Sequence, residues 1–154
     1  MRGVIIVSAA LLAACAGHVD AASTTVERAV AQEALSSPDR LTLTSLYWGR
    51  ITEEWSIPRG GVARWTRGDE TRAFAVSEAD FDRLRDIFRP YEGVSFECRR
   101  VITDGPYGWF TWSREGHEDQ RLEWDAGCVT GDAADVFRRR DEAVALLTRL
   151  RDGG

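Results

Sequence analysis

From Leu41 onward the chain alternates between apolar and polar positions in short runs, each closed by turn residues. Leu41-Thr42-Leu43-Thr44 has the two-residue period of a half-buried strand, and Tyr47-Trp48-Gly49 closes it. Glu54 to Ile57 predicts a second strand, and Pro58-Arg59-Gly60-Gly61 is a strong turn. Val62 to Thr66 and Thr71 to Val76 predict a hairpin around Arg67-Gly68-Asp69-Glu70, with Phe74 and Val76 on one face. The period then changes. Ser77-Glu78-Ala79-Asp80 offers an N-cap hydroxyl with acid in the first turn, and Phe81, Leu84, Ile87 and Phe88 follow at helical spacing until Pro90 stops them.

Val94 to Ile102 predicts the next strand, with Val94, Phe96, Cys98 and Ile102 on one face, and Asp104-Gly105-Pro106 is a turn. Gly108 to Ser113 and Gln120 to Trp124 predict a hairpin whose loop, Arg114 to Asp119, is polar throughout. Asp132 opens a last helix, with Asp135 at the capping-box position and an apolar stripe of Val136, Phe137, Val144, Leu147 and Leu150. Hairpins dominate and no βαβ alternation appears. The expected architecture is therefore α+β: a single domain over residues 41–154, with an antiparallel β-sheet and two helices packed on one face.

The N-terminus follows a different pattern. Met1-Arg2-Gly3 is a short positive start, Val4 to Leu12 is an apolar run broken only by Ser8, and small residues follow. That is the layout of a secretory signal, and the apolar run is far below the roughly 20 residues a membrane-spanning helix needs. Leu12-Ala13-Ala14-Cys15 resembles the lipobox of bacterial lipoproteins. The resemblance implies that residues 1–14 are a signal peptide and that Cys15 carries lipid. It also implies a membrane partner held through that lipid, in a chain facing the periplasm. Ala16 stands where an inner-membrane retention Asp would sit, which favours the outer membrane. Several acyl chains anchor stably where one is marginal. Residues 15–40, small and rich in Ala, Ser and Thr, then read as a flexible lipidated tether.

Composition narrows the chemistry. The formal net charge is −5, and removing Arg2 with the signal leaves 19 Arg against 25 Asp and Glu, or −6. An acidic domain without a basic stretch is a poor partner for nucleic acid. The chain has no Lys and no Asn, and all 20 of its basic residues are Arg. Schiff-base and phosphate-loop lysine chemistry is thereby excluded. With Cys15 lipidated, Cys98 and Cys128 remain, 30 positions apart. In an oxidising compartment they are expected to form a disulfide, contributing about 3 to 4 kcal/mol on the chain-entropy account.

No catalytic constellation emerges. His117-Glu118-Asp119 with Glu115 sits on a polar hairpin tip without metal-ligand spacing, and no metal or other cofactor is expected. Glu53-Glu54 and Asp69-Glu70 read as exposed edge and turn residues rather than two carboxyls across a cleft. Arg99-Arg100 and Arg138-Arg139-Arg140 read as solvating runs, or as partners for acids.

The six tryptophans carry more information. Most are expected in the core, with Phe110, Trp112, Leu122 and Trp124 forming one apolar surface under the helices. Trp109 and Arg121 point the other way, and a cation–π pair between them on the open sheet face is the candidate ligand platform. The expected function is a non-enzymatic, membrane-anchored binding module for another envelope protein. The alternatives are a binder of cell-wall glycan through exposed aromatics and an inhibitor of a cationic enzyme such as lysozyme.

Overall fold

A computed structural model describes residues 37–95 and 104–153. The expected signal, Cys15, the expected tether up to residue 36, Cys98 and Arg99-Arg100 lie outside the described residues, as does the predicted strand from Phe96 on. Val94 and Ser95, its first two residues, are not in a strand.

Among the described residues six strands form one antiparallel sheet: β1 (Arg40–Tyr47), β2 (Arg50–Pro58), β3 (Gly61–Arg67), β4 (Glu70–Val76), β5 (Tyr107–Ser113) and β6 (Gln120–Asp125). Their spatial order is β4-β3-β2-β1-β5-β6, so the first strand lies inside the sheet, bonded on both sides. Two helices, α1 (Glu78–Phe88) and α2 (Gly131–Arg151), supply the helical layer, and a short 3₁₀ turn (Arg89–Tyr91) follows α1. This is the expected single α+β domain.

Period-two alternation decides which side chains meet the helices. Leu41, Leu43, Trp55, Ile57, Ala63, Trp65, Phe74, Val76, Phe110, Trp112, Leu122 and Trp124 all point to one face and join one core. From the helices, Phe81, Leu84, Phe88, Val136, Ala143 and Leu147 close it. Phe88 stacks on Phe110 at 4.1 Å between centroids, and Phe110 meets Trp112 edge-on at 4.8 Å. A 21-residue helix is about 31 Å long, and six strands span about 24 Å between their outer axes. The length of α2 thus suits its contacts with both β6 and β4.

Local signals account for the helix ends. The Ser77 hydroxyl accepts from the Asp80 amide at 3.1 Å and donates to the Asp80 carboxylate at 2.5 Å, the expected reciprocal cap of α1. At α2 the expectation needs correction. Thr130 is the N-cap and makes no side-chain cap bond, and Asp135 does not act as a box residue. Its carboxylate instead accepts from Arg138, Arg139 and the Tyr91 hydroxyl. One glycine is set by close approach: a Cβ on Gly108 would stand 1.9 Å from the Thr44 carbonyl oxygen and 2.7 Å from the Trp124 ring.

Candidate binding surface

The sheet has two unlike faces. On the helix side, charged groups are tied down. Glu53 was expected at an exposed edge. However, β2 is an interior strand, and Glu53 is only 5% exposed. Its carboxylate accepts from the Trp65 indole at 2.8 Å and from Arg67 at 2.9 Å. The Arg151 guanidinium lies 4.4 Å from the Trp65 ring centroid, which joins the end of α2 to the sheet. Among the described residues the indole N–H groups of Trp55, Trp112 and Trp124 have no acceptor, so these rings are buried for their apolar area.

Arg114 belongs to the loop that reads as polar throughout. In the structure it is buried and ion-paired with Glu92, which also accepts from Arg85 at 3.1 Å. The arginine run on α2 divides among three tasks. Arg138 pairs with Asp135 at the surface. Arg139 pairs with Asp135 and donates to the Ile87 carbonyl. Arg140 reaches Ser45 on β1 and lies 4.8 Å over Trp124. The Arg139 and Arg138 guanidiniums hold the Asp135 carboxyl well below the ordinary carboxylate range. Burial, and then the bond to Asp135, raise the Tyr91 hydroxyl.

Among the described residues no helix lies on the other face, and register places its residues in rows. Tyr107, Leu46 and Ile51 form one row; Glu123, Trp109, Thr44, Glu54, Thr66 and Thr71 form the next; Arg121, Thr111, Thr42, Ser56, Arg64 and Ala73 form a third. The expected Trp109–Arg121 pair is there, with the guanidinium carbon 3.6 Å from the ring centroid. Arg121 also pairs with Glu123 at 3.4 Å. That stacking changes what the pair can do. The guanidinium already covers one face of the half-buried ring, so a sugar would have to displace it to stack there.

The uncovered aromatics lie at the end of the sheet, on the β1–β2 hairpin. Trp48 and Gly49 form its two-residue turn, both with positive φ (50° and 75°). Such turns favour Asn-Gly or Gly-Gly, because a side chain in the left-handed region costs about 1 kcal/mol. Here the strained position carries a tryptophan that is 72% exposed. Tyr47 meets it edge-on at 6.1 Å, with an interplanar angle of 86°. The Tyr107 hydroxyl accepts from the Gly49 amide at 3.0 Å and braces the turn.

A bulge shapes the same tip. Ser45 pairs with Glu53 and Leu46 with Ile51, so Thr52 is an extra residue, and its hydroxyl donates to the Ser45 carbonyl at 3.2 Å. Without it Ile51 would share the helix-side face of Glu53. The bulge turns Ile51 to the open face beside Leu46, where it is 58% exposed. Sequence reasoning missed Trp48 as a surface residue. The available signal was a Trp-Gly pair between two alternating runs, where Asn-Gly would be the easy choice.

The remaining sequence candidates lie elsewhere. His117, Glu118 and Asp119 are exposed on the β5–β6 loop, and no cluster of three metal-ligating residues occurs among the described residues. Cys128 is buried. No helix among the described residues is long and apolar enough to cross a membrane. No family model, curated protein or solved structure matches this chain.

Proposed function

We propose that this chain is a non-enzymatic binding module of the bacterial envelope, anchored through lipid on Cys15, that grips another envelope protein with the β1–β2 hairpin tip. The observation carrying this reading is Trp48: a 72% exposed indole held at φ 50°. Backbone strain at a side chain left mostly to solvent, with one edge-on contact to Tyr47, is a reason to look for a partner. The tip groups Trp48 with Tyr47 and Arg50, and Trp, Tyr and Arg are the side chains that dominate binding energy at protein interfaces. A convex aromatic tip suits insertion into a partner's pocket, whereas sugar sites are commonly clefts. The Arg121 cover on Trp109 weakens the glycan reading further.

Photo-crosslinking from position 48 in the native envelope tests this. One discrete adduct is expected from position 48 and none from exposed Arg83 on α1. Equal adducts from both positions, or none, would remove the reading. Amine-directed reagents cannot substitute, because the chain has no Lys side chain.

Cys98 is the proposed partner of Cys128. Peptide mapping without reduction should return a linked pair containing both cysteines.

A further inference from the structure

We infer that β4 pairs edge to edge with β4 of a second copy of this chain, antiparallel and centred on Ala73, joining two domains into one sheet.

Among the described residues the sheet ends at β4 and β6. An edge strand presents outward N–H and C=O groups that can template pairing with another chain unless the edge is blunted. The two edges are treated differently. β6 alternates charged residues, Arg121, Glu123 and Asp125, and Val94 and Ser95 line a shallow depression with Arg121, Leu122 and Glu123. β4 pairs with β3 over all seven of its residues without a register break. It contains no proline and no bulge, and it ends in Ala73-Phe74-Ala75-Val76. Its one inward-facing cation, Arg72, is neutralised by Glu70 at 2.7 Å, so the strand carries no net charge in an acidic domain.

A strand that docks here must be extended and small on the open face, and it must keep its apolar alternation on the helix side. β4 meets those conditions for itself. A two-fold axis through Ala73, perpendicular to the sheet, keeps both helix-covered faces on the same side. It sets Ala73 against Ala73, Thr71 against Ala75, Arg72 against Phe74 and Glu70 against Val76. Ala73 and Ala75 are exposed and small, so the open faces meet without a clash. Phe74 gains an arginine neighbour. The ladder would be about 24 Å long, which gives an interface below standard size. A dissociation constant on the order of 10 µM is expected.

The test is sedimentation of the full chain carrying Cys15→Ser, from about 1 to about 100 µM, with hydrogen exchange at both concentrations. A monomer–dimer equilibrium is expected, with amide protection in β4 rising with concentration and protection in β6 unchanged. Ala73→Glu sets two carboxylates at the axis and should weaken the dimer at least tenfold. The variant's melting temperature at low concentration shows whether it folds, and Ala75→Glu replaces it if it does not. Glu123→Ala on β6 should have no effect. A chain that stays monomeric at the highest concentration overturns the inference. So does a dimer that ignores the β4 variants, or one that is lost with Trp48→Ala instead.

Discussion

The two faces of the sheet use the same kind of residue for opposite ends. On the helix side Trp55, Trp65, Trp112 and Trp124 are sealed into the core. On the open side Trp109 is half-covered by an arginine, and Trp48 at the hairpin tip is left to solvent. Residue type does not separate the two groups. For the strand residues, parity along each strand does, and for Trp48 its place in a two-residue turn does. The helix side is therefore where substitutions should cost stability, and the open side is where they should cost recognition.

The largest effect should come from the helix side. Phe110→Ala removes a fully buried ring that packs on Phe88 and Trp112, and chemical denaturation should show a loss of about 4 kcal/mol. An effect as small as a surface change would mean the described core is wrong. Glu53→Gln keeps the shape but removes the charge that the Trp65 indole and Arg67 share, with an expected loss of about 1 to 2 kcal/mol. A neutral result would mean that this carboxylate is as solvated as the open face.

A pH titration separates the faces in another way. The depressed carboxyl of Asp135 contributes stability that is fully present above its unfolded-state value, near 3.9. That contribution is lost as pH falls through the lower folded value. Asp135→Asn should therefore flatten the acid limb of the stability curve and leave it unchanged in shape near neutrality.

On the open side the expected changes are smaller and can reverse sign. Arg121→Ala uncovers Trp109, with a cost of about 0.5 to 1 kcal/mol and a change in tryptophan emission. Trp48→Asn installs the residue this turn prefers and should raise stability by about 0.5 kcal/mol while abolishing co-purification of the partner identified by crosslinking. A destabilised Trp48→Asn protein would show that the indole is packed rather than presented.

Much of this was legible in the residues, for identifiable reasons. Leu41 to Thr44, Phe74 with Val76, and Phe110 to Trp112 alternate cleanly because one face is buried and the other is not. Ser77 with Asp80 could be read as a cap because both halves of the hydrogen-bond exchange lie within one helical turn. The Trp109–Arg121 pair followed from parity on two adjacent strands. The failures share a cause as well. Glu53 reads as an exposed edge residue, Arg114 as part of a polar loop and Arg138-Arg139-Arg140 as a solvating run or as partners for acids. The Arg139–Asp135 pair fits the last of these, but Glu53, Arg114, Arg139 and Arg140 also have partners far along the chain: Arg67, Glu92, the Ile87 carbonyl and Ser45 respectively. No local pattern encodes a pairing of that range. The bulge at Thr52 was hidden likewise, because an extra residue can be recognised only against the partner strand.

The interior position of β1 has a mechanical consequence. The described chain enters at Ser37, where the Asp39 amide donates to the Ser113 carbonyl and the Asp39 carbonyl accepts from the Arg59 amide. From there β1 runs straight to Trp48 at the opposite end of the sheet. If the chain is pulled at Ser37 while Trp48 is held, the tension travels along the covalent backbone of this one strand. The ladders to β2 and β5 keep the strand in line but do not bear the load in series. The domain could then act under traction as a rigid link, without unfolding to transmit force.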